Sequence, residues 1–524
     1  MQHASKHSIV PLNVPHSRSH EGRFGRLFGR GFTPWSPPGS TDAEKEAAIR
    51  TFAIDEMFAD GAPPDSATPV GYTYLGQFID HDITFDPQSS LTRHNDPDGL
   101  QNFRSPRFDL DSLYGRGPDD QPYLYDHVRV LPDGFPGFLK VGTGESPKEP
   151  DVQRNADGIA LIGDPRNDEN RIVSQLQLAF ALAHNSTLQK LADAPVPAGE
   201  IAPTGRKLFL EAQRITVWFY QYVVWNDFVS RIVDDKVFAK AISFDEDGGD
   251  AGGPFYSVTY GLEDVYDWSE NPFMPVEFSV AAYRFGHSMI RAEYQLNIEL
   301  QRSVGVSPPI GTQFGKPIFA TPGVTQPSVP VPGPPDLRGG SPLPDRHSLQ
   351  WDWYFDFPSS GGPFPQRAHK IDTHLSKSVF TIPGGPTPNP LAELNIRRGW
   401  RMELPSATDV AHALHIRPIE NLAPMEESLW VYILKEASEA PADGEHLGAV
   451  GSTIVAAVFS GLLRGDAFSY LNRDPHWTPA KEKAGGVALF EKISTADPEK
   501  WEITDLLAAA GVPVDGQAIA DLFA

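Results

Sequence analysis

Cysteine is absent from this sequence of 524 residues, which excludes disulfides, thiol nucleophiles and zinc–thiolate sites. Basic residues are also in the minority, since 44 Lys and Arg stand against 68 Asp and Glu and give a formal net charge of −24. Nucleic-acid binding depends on Lys and Arg that neutralise phosphates. The charge balance therefore argues against a nucleic-acid partner and against electrostatic attachment to anionic lipid.

Long hydrophobic runs are missing as well. The longest apolar stretches, such as 453–463, are far shorter than the roughly 20 residues that a membrane-spanning helix needs. Residues 1–30 contain no apolar run of signal-peptide length. We therefore expect a soluble protein without a membrane span, located in the cytoplasm or exported by a route that the sequence does not reveal.

Proline and glycine, by contrast, are plentiful, with 50 and 46 residues. They are dense in 87–165 and 303–366, so we expect long connections there. The second stretch also carries Trp351, Trp353 and Tyr354 and predicts an ordered wrapping loop. Apolar residues recur at helical spacing elsewhere and predict a mainly α fold with little β structure. The predicted helical segments are 70–86, 168–191, 207–233, 275–290 and 447–463.

The first helical segment holds a histidine among polar residues. Residues 71–86 read GYTYLGQFIDHDITFD. On a helix Gln77, Asp80 and His81 share one face, whereas Asp82 is turned away from His81 by about 100°. One short helix therefore offers two separate polar sites. The alternative interpretation is a satisfied core histidine between two solvated acids.

Two polar strings lie downstream of this helix. Residues 163–170 read GDPRNDEN, and Asp164 followed by Pro165 is typical of a helix start. Residues 105–115 read SPRFDLDSLYG, in which potential oxygen ligands alternate along the chain. In an extended loop such ligands point to one side and suit calcium, and an acidic surface turn is the alternative.

A second histidine lies in an apolar segment. Residues 278–290 read FSVAAYRFGHSMI, which predicts a helix that carries His287 with Arg284 one turn before it. Gly286 costs a helix about 1 kcal/mol relative to Ala, so its presence suggests close approach of a bulky group. A core histidine bonded to the backbone is the alternative interpretation.

Taken together and in this order, the segments resemble the animal haem peroxidase family of the peroxidase–cyclooxygenase superfamily. GQFIDHD resembles the distal helix motif, FDLDSLYG the calcium loop, and DPRNDE the segment with the distal arginine. YRFGHS resembles the proximal histidine motif, and LNIRRG at 394–399 the segment with the proximal asparagine. The resemblance covers about residues 70–475. The lack of Cys and of a leader makes the chain similar to a bacterial branch.

The resemblance implies a helical fold around a buried haem, which would be haem b or an ester-linked derivative. Residues 61–524 would form one catalytic domain, preceded by an arm over residues 1–60. His81 would be the distal general base and acid, and His287 would ligate the iron. The other residues implied around the haem are Gln77 and Arg166 beside His81, Asp80 and Glu169 as ester-forming carboxylates, Asn395 as acceptor of the other N–H of His287, and Arg284 and Arg398 near the proximal side and the propionates.

The resemblance further implies calcium, with ligands from Asp82, Ser105, the Arg107 carbonyl, Asp109 and Asp111. The implied function is a peroxidase that reduces hydrogen peroxide and oxidises a small donor through a ferryl–porphyrin radical, as in a response to oxidative stress. Halide, thiocyanate and phenolic or other organic donors stay open. The alternatives are a fatty-acid dioxygenase of the same superfamily and a non-catalytic haem- or calcium-binding protein. Such dioxygenases use a tyrosine three residues before the proximal histidine, where this chain has Arg284.

Overall fold

A computed structural model describes most of the chain, including all of the site residues named above. Residues 1–23 of the expected arm, and parts of the Pro- and Gly-rich stretches, lie outside the described residues. The described residues are 24–28, 32–58, 63–85, 102, 104–196, 199–244, 258–266, 272–303, 305, 315–320, 332–358, 364–383, 387–493 and 499–523.

Helices dominate the structure, as the sequence predicts. They are α1 (Asp42–Asp55), α2 (Gly71–Ile83), α3 (Asp111–Tyr114), α4 (Arg171–Asp193), α5 (Gly205–Val223), α6 (Ser230–Ile232), α7 (Asp235–Ala241), α8 (Val276–Val280), α9 (Ile298–Ser303), α10 (Leu391–Arg401), α11 (Ala407–Ala413), α12 (Leu429–Ser438), α13 (Ala449–Gly465), α14 (Tyr470–Arg473), α15 (Ile503–Ala510) and α16 (Gly516–Phe523). Within the described part of the chain, none of these helices is both long enough and apolar enough to cross a bilayer.

The strands are short and pair two by two. They are β1 (Phe24–Gly25), β2 (Asp65–Pro69), β3 (Val141–Thr143), β4 (Pro150–Val152), β5 (Ile242–Phe244), β6 (Val258–Tyr260), β7 (Met274–Pro275), β8 (Arg367–His369), β9 (Lys483–Ala484) and β10 (Val487–Ala488). β1 and β7 pair in parallel, whereas β2–β8, β3–β4, β5–β6 and β9–β10 are antiparallel. These pairs tie distant loops together and form no larger sheet among the described residues.

One continuous apolar core runs from Phe24 to Ile519. At its centre α4 packs against α5 and α15, and α2 packs against α4. The side chain of Asn170 caps α4 by accepting from the backbone N–H groups of its first turn. The described part of the expected arm also joins this core, because β1 pairs with β7 and α1 packs against α10.

Helix α2 begins without a side-chain cap, and neighbouring loops hold its first residues instead. The backbone N–H of Gly71 donates to the carbonyl of Tyr354 at 2.8 Å, and that of Val70 donates to the carbonyl of Gln366 at 2.9 Å. A Cβ at Gly71 would lie 2.5 Å from the Tyr354 oxygen, so this approach requires glycine. The predicted wrapping loop thus fixes the position of α2.

The prediction of a continuous helix over 275–290 is wrong. Helix α8 ends at Val280, and after a break at Ala281 the chain forms a 3-10 turn, Ala282–His287. Side chains take two carbonyls that a continuous helix would use. The Nε of Arg284 donates to the Ser279 carbonyl, and the indole of Trp430 donates to the Arg284 carbonyl. The other predicted helices are present, although a π-helical turn, Val224–Val229, separates α5 from α6.

Candidate functional site

One face of α2 is less buried than the rest of the helix. Thr73, Gln77 and Asp80 are half-buried and lie at i, i+4 and i+7, whereas most other residues of the helix are buried. Residues at this spacing project from the same side of a helix. The predicted polar face of α2 therefore exists, and its side chains are less buried than those of the rest of the helix.

His81 lies beside this face and is buried, with 4% of its surface exposed. Its Nδ1 lies 2.7 Å from Oδ1 of Asn167. Burial and the charge of Arg166 together lower the pKa of His81 to about 4, although Asp164 and Asp80 oppose the shift. The imidazole is therefore neutral at pH 7 and able to accept a proton.

Arg166 lies next to His81, but its guanidinium is already engaged. Nη2 donates to the His81 carbonyl at 3.0 Å, to the carbonyl of Thr84, and to Oδ2 of Asp164 at 2.8 Å. Burial alone would raise the pKa of Asp164, but the charges of Arg166 and Arg104 outweigh it and hold that pKa well below its usual range. Arg166 is thus a fixed charge beside the α2 backbone.

Hydrogen bonds join α2 to the start of α4 through Gln77. Its Nε2 donates to Glu169 at 3.4 Å, and its Oε1 accepts from Asn170 at 3.2 Å. Burial raises the pKa of Glu169, and the nearby charge of Asp80 adds to that shift. Two carboxylates, Asp80 and Glu169, therefore lie near Gln77.

His287 ends the 3-10 turn and is half-buried. Its Nδ1 lies 2.7 Å from Nδ2 of Asn395, which α10 carries, so the structure places the amide nitrogen beside His287 where an accepting oxygen was predicted. Burial lowers the pKa of His287 to about 3, and Arg284 adds to the shift. A Cβ on the preceding Gly286 would meet nothing within 4 Å, so there is open space beside the histidine, as the sequence suggests.

Two arginines place positive charge at the same site. Burial, together with the charge of Arg398, lowers the pKa of Arg284 to about 10. Among the causes of this shift, only Asp80 opposes it. Neighbouring buried cations of this kind favour an anionic group between or beside them.

Contacts join the segment of His287 to the helix of His81. The hydroxyl of Tyr283 donates to the Gly76 carbonyl on α2 at 3.1 Å. The charges of Asp80 and Arg166, which lie on the His81 side, also act on the pKa of Arg284. The two histidines therefore belong to adjoining elements, although about 200 residues separate them in sequence.

A second site lies on the other side of α2, where Asp82 points. Carboxylate oxygens of Asp82, Asp109 and Asp111 lie within 4.8 Å of one another. Oδ1 of Asp82 is buried without a hydrogen-bond partner. Burial raises the pKa of Asp109 to about 8, and the charge of Asp111 adds to this. Such a cluster suits a cation with oxygen ligands.

The other predicted ligands of this cluster are nearby. Ser105 donates from its hydroxyl to Asp109 at 2.7 Å. The side chain of Arg107 turns away, toward Asp466 at 3.7 Å, which leaves only its carbonyl to be considered as a ligand. Arg104 was not predicted, and it donates to Asp111 at 2.9 Å.

Sequence reasoning missed three further residues of the site. Asn167 bonds to His81, and its own Nδ2 donates to Gln177 at 2.8 Å. Tyr283 contacts α2 through its hydroxyl. The position of Asn167 beside Arg166 in the DPRNDE string was a signal for its role. Gln177 gave none, because one glutamine in a long helix is unremarkable in sequence.

Comparisons with known proteins confirm the resemblance to the animal haem peroxidase family. The model of that family, "Animal haem peroxidase", matches residues 93–317. A peroxidase-like protein of Margaritifera margaritifera is 26% identical over 280 residues, which make up 43% of this chain and 32% of that protein. The chain thus spans about a third of the length of that relative.

Solved structures agree with the mainly helical fold. Peroxidase A from Dictyostelium discoideum has a TM-score of 0.51 at 15% identity, covering 86% of this chain and 88% of that one. A fatty acid alpha-dioxygenase from Oryza sativa has a TM-score of 0.55 at 14% identity, covering 97% of this chain and 86% of that one. The chain therefore shares the mainly helical fold of these two proteins.

Proposed function

Since the chain matches the animal haem peroxidase family in sequence and the peroxidase–cyclooxygenase fold in structure, we propose that it is a haem peroxidase that reduces hydrogen peroxide. The observation that carries this proposal is a pair of histidines that burial keeps neutral, His81 and His287. Each has an asparagine amide at Nδ1, and open space lies beside His287. When bound, haem supplies the iron that reacts with peroxide and recovers electrons from a donor.

The residues present fit a haem. His287 has Asn395 at Nδ1, so Nε2 is the nitrogen available to iron. Gly286 leaves room for a flat group next to it. Arg284 and Arg398 supply positive charge that suits two propionates.

His81 is the proposed general base and acid. Its neutral imidazole takes a proton at Nε2 from one oxygen of hydrogen peroxide and returns it to the other oxygen. We assign Arg166 chiefly to keeping that imidazole neutral, because its guanidinium is paired with Asp164. The same fixed charge favours the anionic character that develops on the departing oxygen. Gln77, on the same face of α2, positions the peroxide.

Asp80 and Glu169 are proposed as the carboxylates that form ester links to haem. Hydrogen bonds tie both to the elements that carry His81 and Arg166. The reaction partners are hydrogen peroxide and a small donor, for which halide, thiocyanate and phenols are the compounds to be tested.

Calcium is the proposed ion at Asp82, Ser105, the Arg107 carbonyl, Asp109 and Asp111. Three neighbouring carboxylates and the unpartnered Oδ1 of Asp82 support a divalent cation. Because Asp82 directly follows His81 in α2, an ion there would fix the helix that carries the base.

A fatty-acid dioxygenase is the second candidate, and Tyr283 is the observation that favours it. Its hydroxyl reaches α2 although it lies four residues before His287. Oxygenation of an unsaturated fatty acid without added peroxide would support this candidate. A donor oxidised only when peroxide is present would exclude it. A third possibility, a non-catalytic haem protein, predicts haem binding without turnover.

The test is an absorption spectrum of the purified protein with haem, before and after peroxide, followed by acid–acetone extraction. We expect a Soret band that shifts with peroxide and is lost in His287→Ala but kept in His412→Ala, a variant of an exposed histidine. Haem that stays with the protein after extraction supports the ester links. Absence of a Soret band in the unmodified protein would overturn the proposal.

A further inference from the structure

We call residues 105–115 the acidic loop. A chain of hydrogen bonds through two side-chain amides leads from this loop to His81. The Nε2 of Gln177 donates to the carbonyl of Ser112 at 3.2 Å, and Nδ2 of Asn167 donates to Oε1 of Gln177 at 2.8 Å. Oδ1 of Asn167 then lies 2.7 Å from Nδ1 of His81. All four residues are buried, with at most 4% of any of them exposed. Bulk water therefore does not compete for these bonds.

The Ser112 carbonyl fixes the donor and the acceptor of every hydrogen bond in this series. A backbone carbonyl only accepts, so Gln177 must turn its NH₂ toward Ser112 and its oxygen toward Asn167. Asn167 must then turn its NH₂ to Gln177 and its oxygen to His81. An amide oxygen cannot donate, so Nδ1 of His81 carries the proton, and Nε2 keeps its lone pair.

We propose that Asn167 and Gln177 are positioning residues that hold His81 in the tautomer with its proton on Nδ1. This proposal rests on the proposed function, in which Nε2 accepts the proton of peroxide. The fixed end of the chain, Ser112, directly follows Asp111 in α3. The acidic loop therefore acts on the tautomer of His81 through two side-chain amides, in addition to its contact with α2 through Asp82.

The Ser112 carbonyl is itself well anchored, because it also accepts from the backbone N–H of Gly163 at 3.0 Å. This second bond ties α3 to the segment that carries Arg166 and Asn167. A Cβ at Gly163 would lie 2.6 Å from the same oxygen. The Ser112 end of the amide chain is therefore held in place, which is the condition for a single tautomer.

The first measurement uses apoprotein labelled with ¹⁵N-histidine at pH 7, with the His81 signal assigned by its loss in His81→Gln. We expect Nδ1 of His81 to be protonated and Nε2 unprotonated in the unmodified protein. Asn167→Ala should shift this signal toward the other tautomer. Asn167→Asp, whose carboxylate also accepts from Nδ1, should restore it.

The second measurement is the rate of the Soret change on mixing haem-loaded protein with peroxide. We expect Asn167→Ala to slow it by about 10- to 100-fold, less than the roughly 10²- to 10⁴-fold that loss of the general base itself would cost, and Asn167→Asp to recover most of the loss. Gln177→Met should be slower than Gln175→Met. Gln175 is the matched control because it lies on the same helix, is buried, and bonds only to backbone groups around residues 347–349.

An unchanged tautomer and an unchanged rate in Asn167→Ala and Gln177→Met would overturn the inference. If either of these variants fails to fold, the comparison of Asn167→Asp with unmodified protein decides, because a changed tautomer there would also contradict it. Failure of the proposed function is a different result. The unmodified protein would then show no reaction with peroxide, whereas the tautomer of the apoprotein would still be measurable.

Discussion

The carboxamide of Asn395 lies 2.7 Å from Nδ1 of His287, although the two residues are 108 positions apart in the chain. A neutral imidazole that gives its Nε2 lone pair to iron carries its proton on Nδ1. Nδ2 of Asn395 faces Nδ1 in the structure, so the amide accepts the hydrogen bond from this N–H through its oxygen after a half-turn that exchanges its N and O. An uncharged acceptor pulls less on the proton than a carboxylate does, so the imidazole donates less charge to the metal.

Asn395→Asp should therefore lower the reduction potential of the bound haem iron, because a carboxylate strengthens charge donation from His287. We expect slower turnover of a phenolic donor, by about 10- to 100-fold, as is usual when a partner of a metal ligand is changed. Spectroelectrochemistry of the loaded protein measures the potential. Asn389→Asp is the control. The side chain of Asn389 donates to the Ile382 carbonyl and not to His287, so this change should leave the potential unchanged. A potential that rises in Asn395→Asp would contradict the prediction.

The reaction with peroxide should persist into acid. Because burial and Arg166 lower the pKa of His81 to about 4, the neutral base is present above that pH and is lost below it. The rate constant should be flat from about pH 8 to 5 and fall below about pH 4. Arg166→Gln removes a charge that lowers this pKa, so the falling limb should move to higher pH. Stopped-flow pH jumps measure the rate before acid unfolds the chain.

Arg116→Gln is the control for that shift, since Arg116 pairs with Asp120. A fall of the rate constant near pH 6.5 in the unmodified protein would contradict the prediction.

The lowered pKa of His81 also has a consequence for stability. An imidazole kept neutral by the fold contributes its full stability above its unfolded pKa of 6.5, and this contribution is lost as the pH falls toward 4.

Much of this arrangement could be predicted because its parts are local. Gln77, Asp80, His81 and Asp82 lie within six residues, so helical periodicity alone separates their two faces. Likewise Ser105, Arg107, Asp109 and Asp111 stand at every second position of one seven-residue segment. Such patterns depend on backbone geometry, which the sequence constrains directly.

The parts that could not be predicted depend on tertiary contacts. The turn that carries His287 is not α-helical because Trp430, far along the chain, takes the Arg284 carbonyl. The salt bridge that turns Arg166 toward Asp164 also involves Arg104 from another loop. Gln177 reaches Asn167 only because α4 folds back beside the distal segment. Periodicity does not encode these long-range partners.

Removal of the proposed calcium ion should destabilise the fold. An ion at a hundred times its Kd stabilises the folded state by about 3 kcal/mol, so a chelator should lower the Tm by several degrees. Asp109→Asn should lower the Tm before chelation and make it insensitive to the chelator, because a ligand is lost. Asp157→Asn, a change at an exposed turn residue, should respond like the unmodified protein. A Tm that no chelator changes, in protein that holds no calcium by elemental analysis, would contradict this expectation.

Gly286 offers the sharpest test of the space beside His287. A Cβ there meets nothing within 4 Å, so both Gly286→Ala and Gly286→Leu should fold with the Tm of the unmodified apoprotein. Gly286→Ala should still bind haem, whereas Gly286→Leu fills the space that the ring needs and should weaken binding by at least about tenfold, equivalent to about 1.4 kcal/mol.

Gly461→Ala is the contrasting control, because its Cβ would lie 2.1 Å from the ring of Tyr266 in the packed core. It should lower the Tm while leaving the haem affinity of the folded fraction unchanged. Haem titration of each apoprotein, followed at the Soret band, separates the two effects. If Gly286→Leu binds haem as tightly as Gly286→Ala does, the open space is not where the ring lies, and His287 is not its ligand in the orientation that we propose.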